Sequence, residues 1–180
     1  MSSMTSKINF TEDEWKVICD APLAVGGAVA VAAPSGVIGS VKEGIALVKS
    51  MMSAAQRHPH NQLIQDVVPK GASREQIELW TKVARTITQQ SEPARVTSTA
   101  LETCQRVAVI LQRKADPQEA DEFKRWLLEV GEGVANAANE GGGVGIKVSP
   151  QEAQILSMMA SALGVTHIPS PPSAESYQYP

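Results

Sequence analysis

The chain has 180 residues, enough for one domain with a substantial core or at most two small domains. Aromatic residues make up 4% of the sequence and hydrophobic residues 43%, so aliphatic side chains and methionine must build the core, which favours packed helices over an aromatic-rich sandwich or barrel. The formal net charge of -3 argues against the basic surface that nucleic-acid binding requires, and we predict no nucleic-acid partner.

Capping residues mark where the helices begin. The clearest start is Thr11, where the returning carboxylate of Glu14 completes a capping box and Phe10 is placed to pack on Trp15. Pro22 predicts a kink or a restart inside this helix, because proline lacks an amide donor and crowds the preceding turn. The other five main helices are predicted to open at Ser40, Ser73, Ser91 to Pro93, Asp116 and Ser149.

Prolines and glycines mark where the helices end. The six main helices are predicted to end at Pro34, about Arg57, near Gln90, about Lys114, at Gly141 and at Gly164, with one short helix over 61–68. No segment alternates as a strand would. We therefore predict an all-α bundle of six main helices plus one short helix over residues 10–165, with a disordered N-terminal lead over 1–9 and a disordered Pro/Tyr tail over 166–180.

Apolar stripes at helical spacing predict which side chains face the core, and they include Ile45, Val83 and Met158. The methionine pairs at 51–52 and 158–159 predict core filling, with an adaptable binding groove as the alternative. The three tryptophans also lie on these stripes, where we expect core anchors: Trp15, Trp80 and Trp126.

The stretch 21–39, reading APLAVGGAVAVAAPSGVIG, carries no charge and consists mostly of small residues. Small residues let neighbouring helices approach closely, which predicts a helix in the middle of the bundle. The length also matches a membrane-spanning helix of about 20 residues. Pro22 and Pro34 leave only 23–33 uninterrupted, roughly 16 Å against a hydrocarbon core of roughly 30 Å. We predict a soluble core helix, with a membrane-inserting apolar hairpin as the alternative.

The first two helices and the last two share a pattern. The sequence EWK at 14–16 corresponds to EFK at 122–124, and SMMSA at 50–54 corresponds to SMMAS at 157–161. If the correspondence is an internal duplication, the fold contains two pseudo-repeated helical hairpins whose apolar faces pack on each other.

The second copy carries a family resemblance. Its segments Ala137-Ala138-Asn139-Glu140-Gly141, Val148-Ser149-Pro150-Gln151-Glu152 and Leu163-Gly164-Val165 resemble the repeat of the tellurite-resistance TerB-like helical family. The first copy, with its Glu-Trp-Lys start and its Ala-Pro-Ser-Gly loop at 33–36, also resembles uncharacterised bacterial helical proteins. The TerB-like resemblance implies metal or small-ligand sensing, with an Asp before the loop glycine helping to bind a cation. Here Pro34-Ser35 and Asn139-Glu140 replace it, which leaves Glu140 and Glu152 as the acidic candidates.

Other patterns give little support to an enzyme or a cofactor. His58 and His60 are the close histidine pair, either a weak zinc site or an exposed polar connector. Cys19 and Cys104 lie inside apolar patterns and are interpreted as small buried residues. The glycine-rich run 141–145 follows a helix and lacks the Lys-Ser/Thr ending of a phosphate loop, so we interpret it as a linker.

The sequence as a whole predicts a non-enzymatic helical interaction or adaptor protein that binds a protein partner or a second copy of itself. The first residues, MSSMTSKINF, lack the apolar core of a signal peptide, which predicts a cytoplasmic location. Tyr177 and Tyr179 in the proline-rich tail are candidates for docking on a partner, with a plain disordered end as the alternative. A TerB-like metal- or ligand-sensing stress-response protein is the alternative function.

Overall fold

A computed structural model describes residues 5–33, 41–90, 92–139 and 148–166. Across these residues the chain forms α-helices and one short 3₁₀ turn, and it forms no strand. The prediction of an all-α bundle with six main helices and one short one is confirmed, and α3 is the short helix. In chain order the helices are α1 (Glu12–Ala32), α2 (Val41–Gln56), α3 (Gln62–Val67), α4 (Arg74–Gln90), α5 (Pro93–Lys114), α6 (Pro117–Asn139) and α7 (Pro150–Leu163).

Two predicted capping boxes open their helices as expected. At the start of α1 the amide of Glu14 donates to Thr11 Oγ1 at 3.2 Å, and the amide of Thr11 donates to Glu14 Oε2 at 2.8 Å. At the start of α7 the same exchange joins Ser149 and Glu152, at 3.3 and 2.7 Å. These contacts form within four residues, which is why the sequence alone locates them.

The central element of the bundle is α1, which packs against α2, α4, α5, α6 and α7. It runs without interruption through Pro22, so the predicted restart is wrong. Proline inside a helix costs about 3 kcal/mol, and packing on five neighbouring helices outweighs that loss. Every residue from 25 to 31 is buried.

Glycines set the close approach of α1 to its neighbours. A Cβ atom at Gly26 would lie 2.7 Å from Cγ of Leu47 on α2, and one at Gly27 would lie 2.7 Å from Cγ2 of Ile87 on α4. Both distances are shorter than any carbon contact that packed proteins tolerate. The small residues of the uncharged stretch therefore bring the helices together as predicted.

Three side chains that the stripes assigned to the core are instead partly exposed. Ile45 and Met158 each keep 41% of their surface exposed, and Val83 keeps 37%. In α2 and α7 the apolar stripe that faces the bundle does not include Ile45 or Met158. Those buried stripes are Leu47, Val48, Met51, Ala54 and Ala55 in α2, and Leu156, Met159, Ala160 and Leu163 in α7.

The tryptophans differ in their burial. Trp126 is fully buried beside Phe123, with ring centroids 5.1 Å apart, and it anchors the core as predicted. Trp15 and Trp80 are partly buried and pack against the edge of the core. Trp15 stacks on Phe10 with centroids 6.0 Å apart, which is the predicted staple at the start of α1.

The N-terminal segment corrects the prediction of a disordered lead for residues 5–9. Residues Lys7–Asn9 form a 3₁₀ turn, and Thr5 is 2% exposed. The amide of Thr5 donates to Glu119 Oε2 at 2.6 Å, while Thr5 Oγ1 accepts from the amide of Asp116 at 2.8 Å. A distant segment thus supplies the acceptor for the Asp116 amide at the start of α6.

The duplication of α1 and α2 in α6 and α7 stays a prediction. The aligned aromatic residues differ in environment, since Trp15 is partly exposed and Phe123 is fully buried. Several predicted features lie outside the described residues: the cap at Ser40, the loop from Pro34 to Gly36, the glycine-rich run 141–145 and the tail 167–180.

Candidate functional site

Residues 57–61 connect α2 to α3 and contact α6. We call this segment the histidine connector, because it contains His58 and His60. His58 Nε2 lies 3.1 Å from Oε1 and 3.2 Å from Oε2 of Glu129. The neighbouring Arg57 binds the same carboxylate, through Nη2 at 2.8 Å and Nε at 3.2 Å. The cluster of Arg57, His58 and Glu129 therefore joins the end of α2 to the middle of α6.

Asn61 fixes the other side of the connector. Its Oδ1 accepts from the amide of Ile64 at 3.1 Å, which caps α3, and its Nδ2 donates to Glu122 Oε2 at 3.1 Å. The hydrogen bond from Asn61, supported by one from Gln118, lowers the pKa of Glu122 below 4.5. Glu122 is therefore ionised at neutral pH and holds the connector in place.

The predicted metal candidates do not come together. His58 pairs with Glu129, whereas His60 is exposed on the connector. Across the part of the chain that the structure describes, no group of three His, Cys, Asp or Glu side chains is placed to hold a metal ion. Glu152 is fully buried and accepts the Ser149 amide in the cap of α7, while Glu140 lies outside the described residues.

Both cysteines have the environment of packing residues. Cys104 is fully buried and Cys19 is partly buried. Burial raises the pKa of the Cys104 thiol to about 12, and burial followed by the charge of Asp20 raises that of Cys19 to about 11. A thiol that stays protonated at neutral pH is a poor nucleophile, which agrees with the interpretation of both residues as packing residues.

Among the described helices, α1 is long and apolar enough to span a membrane by length and composition. Its 21 residues measure about 31 Å, so the prediction that Pro22 shortens it to roughly 16 Å is wrong. Two thirds of its apolar window, 67%, is buried inside the bundle. The small and apolar composition of α1 is consistent with this burial against other helices.

A groove of about 460 Å³ runs between α2 and α6 and ends at the ion cluster. The two helices touch at its floor, where a Cβ atom at Gly133 would lie 2.9 Å from Cβ and Oγ of Ser50. We call it the α2/α6 groove. Its lining residues are Ile45, Ala46, Lys49, Ser50, Ser53, Arg57, Glu129, Gly133 and Ala137.

Spacing of four residues places this lining on one face of each helix. Ile45, Lys49 and Ser53 follow one another along α2, and residues 129, 133 and 137 follow one another along α6. The lining carries two cationic side chains and one carboxylate, and that carboxylate is already shared by Arg57 and His58. The groove therefore presents an apolar end, formed by Ile45, Ala46 and Ala137, and an excess of positive charge.

No protein-family model, curated protein or solved structure matches this chain. The resemblance to the TerB-like family therefore stays a prediction, and the site must be interpreted from its own chemistry.

Sequence reasoning found His58 but missed Ile45, Lys49 and Glu129 as members of one groove. The signal in α2 is the stripe at 45, 49 and 53, which is apolar, cationic and polar in turn. Such a mixed stripe beside a fully apolar one indicates the outer face of a helix. Glu129 gives no comparable signal, because its partners come from a connector about 70 residues earlier.

Proposed function

We propose that this chain is a non-enzymatic helical interaction module, an adaptor, that binds a protein partner in the α2/α6 groove. The observation that carries the proposal is the position of Ile45, which is 41% exposed at the end of a concave groove opposite the ion cluster, with Lys49 and Arg57 farther along its length. A single exposed apolar side chain is ordinary on a protein surface. Its combination with a groove and two cations is what favours binding.

The groove chemistry defines the partner segment. An apolar side chain would cover Ile45, Ala46 and Ala137, and a carboxylate would pair with Lys49. Arg57 contributes less to a new partner, because Glu129 already neutralises it. We infer a helix or extended segment that carries one apolar anchor and one acidic residue next to it.

A cytoplasmic protein partner and a second copy of the chain both fit this description. The chain has 19 acidic residues, so another copy could supply the carboxylate. The two cases differ in one measurement, since self-association makes the molecular mass depend on protein concentration. Sedimentation equilibrium of the wild-type chain separates them.

The test is affinity capture from the native cell with the wild-type chain and the double variant Ile45→Asp/Lys49→Glu, followed by calorimetry with each purified partner. Introducing two carboxylates into the groove should weaken binding at least about tenfold, which corresponds to about 1.4 kcal/mol. Circular dichroism confirms that the variant folds, as expected for substitutions at exposed positions.

The matched control is Val109→Asp/Lys82→Glu. Val109 is 46% exposed on α5 and Lys82 is exposed on α4, so the same chemical changes occur away from the groove. The proposal requires the control to bind like the wild type while the groove variant does not. Equal binding by all three proteins places the partner elsewhere and ends the proposal for this groove.

A further inference from the structure

Two further grooves lie at opposite ends of the pair formed by α5 and α7. The groove at the N-terminal ends has a volume of about 520 Å³, and the one at the C-terminal ends about 420 Å³. Each groove includes the same end of both helices, so α5 and α7 run parallel. The first is lined by Val31, Ala32, Pro93, Ala94, Thr97, Ser98, Leu101, Gln151, Gln154, Ile155 and Met158.

The two grooves share one side of this helix pair. On α7 six of the eight lining positions, 151, 154, 155, 158, 161 and 162, fall within about 120° around the helix, and the other two, 163 and 164, lie at its C-terminal end. On α5 positions 94, 97, 101, 108 and 112 fall within about 60° of one another around the helix. We call this face of the pair, about 21 Å long for the 14 residues of α7, the α5/α7 seam; at its C-terminal end α6 also lines the groove, through Pro117, Ala120, Asp121 and Lys124.

The seam exposes apolar surface. Met158 keeps 41% of its surface exposed, and Leu101 and Ile155 are partly buried. The side chains that line the first groove in the described structure are all uncharged. This end of the seam therefore suits an apolar, uncharged occupant more than a charged one.

The C-terminal end of α7 turns the chain back toward the bundle. Gly164 adopts a left-handed φ of 70°, its amide donates to the carbonyl of Ser161 at 3.2 Å, and the amide of Val165 donates to the carbonyl of Ala160 at 3.0 Å. This is a Schellman motif. Val165 packs against the core, so the chain beyond Thr166 starts beside the C-terminal groove, whose lining includes residues 161–164.

We propose that the segment 167–180, HIPSPPSAESYQYP, docks on its own bundle in the α5/α7 seam. In a polyproline conformation each residue advances about 3.1 Å, so the uncharged stretch 167–173 measures about 22 Å and matches the length of the seam. Three residues complete a turn, which puts Ile168 and Pro171 on the same side. That side covers Met158 and Ile155, and the segment with Tyr177 and Tyr179 continues past the N-terminal end of α7.

This proposal is independent of the α2/α6 groove, because the two surfaces share no residue. Its test is disulfide formation, with added oxidised glutathione as the oxidant, between Gln151→Cys, at the far end of the seam, and Ser173→Cys, which docking brings level with it. Docking raises the effective concentration of the two thiols, and we expect the intramolecular disulfide to form about tenfold faster than in the control pair. The native thiols interfere little, because burial raises the pKa of Cys19 to about 11 and of Cys104 to about 12.

The control pair is Ala153→Cys with Ser173→Cys. Ala153 is exposed and lies about 200° around α7 from Gln151, with nearly the same length of chain to residue 173. A third protein adds Met158→Glu to the seam pair and should form the disulfide at the rate of the control. Equal rates in the seam pair and the control pair overturn the proposal, as does a predominantly intermolecular disulfide, which would place a second copy in the seam.

Discussion

Gly26 lets α1 and α2 approach closely, because glycine has no Cβ atom. The Cβ of Gly26→Ala would meet the branch carbon of Leu47, which is fully buried and has no room to move. Overpacking of this kind costs about 1–3 kcal/mol, and the better helix propensity of alanine offsets about 1 kcal/mol. We expect a net loss of about 1 kcal/mol in the free energy of unfolding, measured by urea denaturation.

A double-mutant cycle isolates this contact. Leu47→Ala alone should cost about 2–5 kcal/mol, because it leaves a cavity. In that background Gly26→Ala should become neutral or stabilising, because its methyl group enters the space that Leu47 vacated. If Gly26→Ala changes the free energy of unfolding equally in the wild type and in Leu47→Ala, the alanine side chain does not contact Leu47. The inference that α1 and α2 approach closely at Gly26 would then be wrong.

The ion pair between Glu14 and Lys114 should make stability depend on pH. The Lys114 ammonium, followed by the amide of Thr11, lowers the pKa of Glu14 below 4.5. A lowered folded-state pKa contributes stability above pH 4.5 that is lost as the pH falls through the folded-state value. Glu14→Gln keeps a capping side chain, so it should melt below the wild type at pH 7 and together with it near pH 2. A difference in melting temperature between Glu14→Gln and the wild type that is the same at pH 2 and pH 7 contradicts a stabilising ion pair between Glu14 and Lys114.

The start of α6 depends on a segment more than 100 residues away. Thr5 Oγ1 accepts the Asp116 amide at 2.8 Å from a position that is 2% exposed. Thr5→Ala leaves that amide without its acceptor, which costs about 1–3 kcal/mol, whereas Thr5→Ser keeps the hydroxyl. Urea denaturation should rank wild type and Thr5→Ser close together and Thr5→Ala below them. If Thr5→Ala and Thr5→Ser lose the same free energy of unfolding, the stabilisation comes from the methyl group of Thr5 and not from its hydroxyl.

The sequence predicts those features of a helix that depend on residues close in the chain. The caps at Thr11 and Ser149 use partners within four residues, and both were predicted correctly. Pro22 predicts a break by local rules, but α1 continues because five helices surround it. Thr5, like Glu129 in the ion cluster, finds its partner through tertiary contacts, and no local pattern signals such partners.

For the whole molecule, the metal-sensing alternative gives a direct expectation. Glu152 is buried in the cap of α7, and His58 is paired with Glu129. A cation would have to displace these contacts, so we expect zinc, calcium and manganese to leave the melting temperature unchanged. A rise that depends on cation concentration and disappears in His58→Ala or Glu140→Gln would instead establish a site.

The membrane alternative depends on whether the folded bundle releases α1. Most of the apolar window of α1 is buried, so exposing it means opening a fold whose stability is of the order of 5–15 kcal/mol. Its alanines and glycines gain little from transfer into lipid.

In liposome flotation the native chain should stay at the bottom of the gradient with neutral and anionic vesicles. Chain diluted from urea into the same vesicles is the control, because α1 is then free to insert. Flotation of the diluted chain alone would show that burial keeps α1 out of the bilayer, whereas flotation of the native chain would mean that α1 leaves the bundle to insert.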